Sequence, residues 1–197
     1  MNVSPIQTRI FNLTSKLSTF GNQSGSNHGA VIFSSSGEPL SCGFNHKYTT
    51  SKSFKGGRSK VMHAEVHALR NFVALQCAGD IDVAITRLHK GSIYISEEGL
   101  NKHCPSPHDD AQPCPQCTQA IVKFGIEHVF FTKKNDELGY FHRSVKTPED
   151  CCNFHAPSFD MAMMGQEDNH FESRERMRAI VRSFARLTNI GRDGEEC

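Results

Sequence analysis

The 197-residue sequence has no large excess of either charge and no long apolar segment. Lysine and arginine total 22 against 21 acidic residues, so the summed charge is too small to build a broad field that attracts a polyanion. No apolar run is long enough to cross a bilayer, and no apolar segment followed by a small-residue cleavage site stands near the start. These absences argue against a membrane or secreted protein and predict a cytoplasmic or nuclear location.

Acidic residues are also missing from the beginning of the chain, where the first is Glu38. Organelle transit peptides share this composition. A packed amphipathic helix explains the segment better, because its apolar residues recur at helical spacing, at Ile6, Ile10, Leu13, Leu17 and Phe20.

The rest of the pattern indicates one domain in which short apolar strands alternate with amphipathic helices. Strands are predicted over 30–33, 39–44, 93–95, 128–132 and 140–141, and helices over about 63–77, 115–124 and 172–187. Residues 46–62 are polar and basic, which predicts a mobile loop. Only residues 133–139 separate the last two strands, too few for a helical crossover, so those strands should pair antiparallel.

The eight cysteines include one closely spaced pair, in Cys114-Pro-Gln-Cys117. In an intracellular protein this usage favours metal binding over disulfides. Pro115 suits the first position of a helix, and cysteines at i and i+3 on a first turn point the same way, so their thiolates can share one ion. No role is assigned to the scattered Cys42, Cys77, Cys151, Cys152 and Cys197.

The segment His63-Ala-Glu65 stands at the start of an earlier predicted helix and supplies the remaining chemistry. Its imidazole would be a third ligand, which leaves the fourth position of a tetrahedral zinc open to water, as in catalytic sites. Helix N-termini further stabilise thiolates and anions. Glu65 is placed to act as a base: it would take a proton from water acidified by the metal, pass it to a ring nitrogen and later protonate the departing amine.

Both motifs resemble those of the zinc-dependent cytidine and deoxycytidylate deaminase superfamily, whose signature is H-x-E with P-C-x-x-C. The first runs His63-Ala-Glu-Val-His-Ala-Leu69 and is also similar to tRNA adenosine, guanine and riboflavin-pathway deaminases. The second runs from Pro113 to Ile126, with the strand His128-Val-Phe-Phe131 after it. The resemblance covers about residues 5–145 and implies an α/β fold: a three-layer α/β/α arrangement with a mixed central sheet of about five strands.

The resemblance also implies a substrate residue and an assembly. Gly43-Phe44-Asn45 is similar to the end of the family's first hairpin, whose asparagine commonly contacts the substrate sugar, so Asn45 is expected to bind substrate. Relatives often complete their pockets across an interface, which implies a homo-oligomer.

Two features bear on the branch of the family. A hairpin between the fourth and fifth strands is typical of the cytidine deaminase branch, and the short 133–139 link fits it, whereas the first ligand His63 and the Pro113 motif are similar to the deoxycytidylate and tRNA branch. The family phrase Leu-Glu-Pro-Cys is replaced by Ser96-Glu-Glu-Gly99 and an insertion that runs to Gln112.

We therefore expect zinc-dependent hydrolytic deamination of a nucleobase in a free nucleoside or nucleotide, of cytidine or deoxycytidylate type. One alternative is tRNA adenosine-to-inosine deamination, with phosphate contacts from Lys55, Arg58, Lys60, Arg174, Arg178, Arg182 and Arg186. A solvated helix face paired with Glu172 and Glu175 is the simpler explanation of those arginines. The alternative from another class is a non-catalytic interaction module stabilised by zinc.

Several interpretations concern the remainder of the chain. Residues 1–145 are predicted to form the deaminase domain, and 146–197 a C-terminal extension whose amphipathic helix packs on it; residues 146–170 have no assigned role. His67 is interpreted as a packed or exposed helix residue and not a ligand.

The insertion holds four metal-binding side chains that could bind a second zinc, although polar loops often carry such residues without a metal: His103, Cys104, His108 and Asp109. Replacement of Cys114 by Cys104 as a zinc ligand is a minor alternative.

Overall fold

The chain folds into a mixed β-sheet with helices, as a computed structural model describes it for residues 4–21, 27–48, 60–98, 111–133, 138–142 and 181–182. Within these residues the helices are α1 (Pro5–Ser18), α2 (Ala64–Gln76), α3 (Ile81–Leu88) and α4 (Pro115–Lys123). The strands are β1 (Asn27–Phe33), β2 (Pro39–Phe44), β3 (His46–Tyr48), β4 (Lys60–Met62), β5 (Ser92–Glu98), β6 (His128–Thr132) and β7 (Leu138–His142).

Five of these strands form one sheet in the order β2-β1-β5-β6-β7, and β3 and β4 form a separate pair. The β5–β6 pair is parallel, while β1–β2, β1–β5 and β6–β7 are antiparallel. The mixed five-stranded sheet confirms the predicted fold class. The antiparallel β6–β7 pair confirms the expectation drawn from the short link between these strands.

Helices cover both faces of the sheet. One core cluster packs α2, α3 and α4 on one face, with Ile32, Ile93 and Phe72 among its fully buried residues. The other packs α1 on the opposite face, against Val31 and Tyr94. Because successive residues over 30–33 and 93–95 enter different clusters, these central parts of β1 and β5 are continuously apolar, as in sheets that are buried on two sides. The layers are therefore helix, sheet and helix.

Helix α1 begins with a capping box, in which the Ser4 hydroxyl accepts from the Gln7 N–H at 3.2 Å and the Gln7 side chain accepts from the Ser4 N–H at 3.0 Å. The expected packed helix is confirmed, but its buried stripe is narrower than predicted. Ile6 and Phe20 are 42% and 43% exposed: Ile6 lies in the first turn of α1, and Phe20 lies two residues beyond its end, with its ring against Phe44. None of the helices in the described ranges has the length and apolarity needed to span a bilayer.

Three elements were not predicted. Helix α3 follows a cap in which the Asp80 carboxylate accepts from the N–H groups of Asp82 and Val83. The predicted mobile loop over 46–62 is wrong at both ends, where β3 and β4 pair in the register His46↔Met62 and Tyr48↔Lys60. Main-chain pairing between short polar segments leaves no hydrophobic period in the sequence.

The last helix lies almost wholly outside the described residues. Residues 181 and 182 are helical, and Val181 packs against the cluster beneath α1. The division at residue 145, the bounds of the C-terminal helix and the role of 146–170 therefore stay predictions.

Candidate metal centre

Two helix N-termini bring the predicted metal ligands together. His63 is the N-cap of α2 and Cys114 the N-cap of α4, both with extended backbone, and Cys117 lies in the first turn of α4. Pro115 starts α4, as expected, and the Cys114 sulfur accepts a hydrogen bond from the Cys117 N–H at 3.5 Å. The sulfur thus replaces the oxygen of an ordinary N-cap side chain, so the local structure that starts the helix also aims this ligand.

The spacing of the donor atoms fits a zinc ion. His63 Nδ1 lies 3.6 Å from Cys114 Sγ and 3.3 Å from Cys117 Sγ, and all three donors lie within 4.8 Å of one another. Bonds of about 2.3 Å to sulfur and about 2.0–2.1 Å to nitrogen place these atoms about 3.5–3.6 Å apart around a tetrahedral ion. The observed separations match that value to about 0.3 Å, so one ion can reach all three.

The same three side chains strongly perturb one another's protonation. The pKa of the Cys114 thiol is lowered to about 3, because Cys117 and His63 hydrogen-bond to its sulfur. The Cys114 interaction also raises the pKa of His63 and, together with burial, that of Cys117. Zinc binds thiolate and neutral imidazole, so a cation that enters this site must displace protons from it.

Glu65 lies beside the three donors and is not one of them. It occupies the first turn of α2 and is only 6% exposed. Burial raises the pKa of its carboxyl, an effect that nearby charge on His63 and His28 partly opposes. Its carboxyl also interacts with the Cys117 side chain. A buried acid with a raised pKa, next to a metal centre, is suited to taking up and giving back a proton.

Asn45 is connected to this centre through His28. The Asn45 side-chain oxygen accepts from the His28 main-chain N–H at 2.8 Å, and the Asn45 main-chain N–H donates to the His28 carbonyl at 3.1 Å. His28 in turn interacts electrostatically with Glu65 and His63, and burial lowers its pKa. Sequence reasoning gave His28 no role, since a histidine at the start of a strand carries no distinguishing pattern.

The position of α2 is set by its close approach to β2. At Gly43 an added Cβ would lie 2.5 Å from the Ala64 carbonyl oxygen and within overlap distance of Ala68 N. The Ser41 hydroxyl donates to the Ala68 carbonyl at 2.8 Å, which holds the helix against the strand. Only glycine permits this approach, which delivers His63 and Glu65 to their places at the start of α2.

His67 is a packed residue, as interpreted from the sequence. Its ring is buried against Phe44 and His46, and burial lowers its pKa to about 3, so the ring is neutral. It does not belong to either group of metal-binding side chains in the described part of the chain. The four candidate ligands of a second zinc in the insertion, and the arginines on the last helix other than Arg182, lie outside the described residues.

Comparison with known proteins gives a consistent picture. Residues 7–133 match the model of the family described as the cytidine and deoxycytidylate deaminase zinc-binding region. The chain is similar to a cytidine deaminase from Burkholderia pseudomallei, at 19% identity over 68% of this chain and 91% of that one, with a TM-score of 0.45. It is also similar to a dCMP deaminase from the cyanophage S-TIM5, at 18% identity over 64% of this chain and 82% of that one, with a TM-score of 0.39. No curated protein sequence matches the chain.

Proposed function

Since this chain belongs to the cytidine and deoxycytidylate deaminase family, we propose that it hydrolytically deaminates a cytosine-type base in a free nucleoside or nucleotide. The family match confirms the resemblance carried by the two motifs, and it confirms zinc as the cofactor. The observation that carries the proposal is the convergence of one imidazole and two sulfurs next to a buried carboxyl.

His63, Cys114 and Cys117 would hold the zinc. A zinc ion with three protein ligands acidifies water toward neutral pH, which supplies the nucleophile for hydrolysis. Within the described residues this group contains three donors. Catalytic zinc sites have three protein ligands, whereas structural sites have four. The positive ends of α2 and α4 both point at the centre and stabilise negative charge there.

Glu65 would carry the protons. Burial raises the pKa of its carboxyl, which suits a group that takes a proton from water and passes it to the ring nitrogen. The carboxyl would then take the second proton of that water, from the hydroxyl added to the ring carbon, and pass it to the departing amine. Burial keeps the carboxyl away from bulk water, so the proton is exchanged within the site. The interaction of the Glu65 carboxyl with the Cys117 side chain supports a position of the carboxyl beside the metal ligands.

Asn45 would bind the sugar of the substrate. Its carboxamide oxygen accepts from the His28 N–H and its main-chain N–H donates to the His28 carbonyl, and His28 interacts with Glu65. These links support a substrate contact connected through His28 to the proton carrier.

The choice of a cytosine-type substrate rests on topology and charge. The β6–β7 pair is antiparallel, which is the arrangement that the resemblance associates with the cytidine deaminase branch. The near balance of 22 basic and 21 acidic residues favours a small substrate over a polyanion.

Ammonia release from cytidine, deoxycytidylate, guanine, adenosine and tRNA tests this function. We expect release from cytidine or deoxycytidylate by the zinc-loaded protein, and a fall of about 10²- to 10⁴-fold in Glu65→Gln with zinc retained. Glu38→Gln is the matched control, because Glu38 is exposed on the β1–β2 turn. Release from tRNA alone would overturn the substrate class, and equal rates in Glu65→Gln and the parent would remove Glu65 from the mechanism.

A further inference from the structure

A second group of metal-binding side chains lies at the far end of β6 from the zinc centre. Glu127, His128 and His142 offer one ligand atom each, all within 4.8 Å of one another. His128 is the first residue of β6, whereas the last, Thr132, receives a hydrogen bond from Ala111 in the segment that leads to Cys114. At about 3.3 Å per residue these ends of β6 are about 13 Å apart, so the group is separate from the zinc centre.

The register of the sheet builds this group. His128 and His142 are directly opposite each other on β6 and β7, and their ring centroids are 5.1 Å apart. The N–H groups of Glu127 and His128 both donate to the Gly91 carbonyl, at 3.1 and 3.3 Å, which fixes the bend before β6. The bend brings the Glu127 carboxylate to 3.7 Å from His142 Nε2. One donor from the bend before β6 and one from each of the two strands thus meet beside the β6–β7 pair.

The His128 ring is oriented by a neighbour, as metal-binding histidines usually are. Its Nδ1 lies 3.0 Å from the Tyr140 hydroxyl, and the two rings are nearly parallel at an angle of 15°. A ligating imidazole commonly bonds through one nitrogen to the metal and through the other to such an outer partner. With Nδ1 engaged by Tyr140, Nε2 is left to face an ion. A surface ion pair between His142 and Glu127 would require no such arrangement of His128.

From this geometry we propose that Glu127, His128 and His142 bind a divalent transition-metal ion such as zinc. Two imidazoles and one carboxylate suit zinc and its neighbours in the first transition row, whereas magnesium and calcium prefer oxygen ligands alone. Bonds of about 2.0–2.2 Å bring such donors to about 3.0–3.6 Å from one another. The 3.7 Å separation between Glu127 and His142 is already close to that range, and the side-chain exposure of His142, 46%, gives the ion an entry path.

Calorimetric titration with Zn²⁺ tests the proposal on the 197-residue protein without a histidine tag. The protein is first dialysed in metal-free buffer so that only tightly held zinc remains. We expect the parent to bind one ion more than His142→Ala, or to bind it at least about tenfold more tightly. His89→Ala is the matched control, since His89 is exposed and belongs to neither metal-binding group. Ions bound elsewhere contribute to all the titrations equally and cancel in the comparison.

Tyr140→Phe gives a second test, because it keeps the ring and removes the hydroxyl that orients His128. We expect the same ion count as in the parent with an affinity about tenfold or more lower. Ammonia release should be unchanged in His142→Ala, which separates this site from the zinc centre. Identical Zn²⁺ titrations for the parent and His142→Ala would overturn the proposal, as would an equal loss in His89→Ala.

Discussion

Substitution of Gly43 by alanine should damage the zinc centre although residue 43 is not a ligand. The new Cβ would lie 2.5 Å from the Ala64 carbonyl oxygen and 2.9 Å from Ala68 Cα, where ordinary contact begins at 3.4 Å. The neighbours are main-chain atoms that cannot rotate away, so α2 and β2 must separate by up to about 1 Å. Overpacking of this kind costs about 1–3 kcal/mol of unfolding free energy.

The shift reaches the metal because Ala64 directly follows His63. Metal–ligand distances tolerate deviations of only about 0.2 Å, so a helix displaced by several times that amount holds His63 too far from the two sulfurs. We expect weaker zinc binding in competition with a chelator. Misplacement by about 1 Å also costs on the order of 10²-fold in rate, which the ammonia assay would measure.

Gly29→Ala is the control for this experiment. An added Cβ at residue 29 would overlap the Thr14 carbonyl oxygen and lie 2.9 Å from Leu17 Cβ, so it pushes against α1 on the opposite face of the sheet. We expect a comparable loss of stability with zinc affinity near that of the parent. If Gly43→Ala keeps parental zinc affinity and rate, the reasoning is refuted; if both variants lose zinc equally, the effect is general destabilisation and not displacement of His63.

Three further predictions concern other parts of the fold. Cys117→Ser should lower the zinc content by one ion per chain in elemental analysis, while Cys77→Ala, at a free cysteine outside the metal group, should keep the parental content. Asp80→Ala removes the cap of α3 and should cost about 0.5–2 kcal/mol in denaturant unfolding, with no change in zinc content. His67 has a pKa of about 3 when folded against an ordinary value of 6.5 for histidine, so the unfolded state binds more protons between these values and stability falls as the pH falls through that window. In His67→Asn the slope of unfolding free energy against pH should be smaller by up to about 1.4 kcal/mol per pH unit; an unchanged slope would contradict the neutral, buried ring.

The zinc centre could be predicted from sequence because its geometry is local. Cys114 and Cys117 share one helical turn, and His63 and Glu65 share another, so each half is specified by spacing alone. Strands β1, β2, β5 and β6 of the five-stranded sheet could likewise be predicted from their short apolar runs. Helix α3 was overlooked although its sequence carries two signals. Its apolar residues Ile81, Ala84, Ile85 and Leu88 recur at helical spacing and pack on the core, and Asp80 stands at the position of an N-cap.

Features that depend on register escaped prediction. His128 and His142 are 14 positions apart in the sequence and meet because β6 pairs with β7 in one particular alignment. A shift by one residue would send the two rings to opposite faces of the sheet. The short link over 133–139 predicted that these strands pair antiparallel, but the few residues of β7 gave no means of choosing that alignment.

The contact between α2 and β2 explains why His67 is buried without being a ligand. Strand β2 is the outermost on its side of the described sheet, and such strands present main-chain groups that need partners. Three α2 side chains bond to alternate residues of this strand: Gln76 to the Leu40 carbonyl, Asn71 to the Cys42 carbonyl at 3.0 Å, and His67 Nδ1 to the main chain of Phe44 at 3.0–3.2 Å.

Side chains of α2 thus supply the hydrogen-bond partners that a further strand would give to β2. The three residues that bond to β2 have no role in catalysis. The same contacts fix the helix along its length against β2, while Gly43 fixes its distance from the strand. These hydrogen bonds and the close approach at Gly43 together set the positions of His63 and Glu65 at the start of the helix. Precision at the zinc centre therefore depends on polar residues several turns away, which a motif search does not identify.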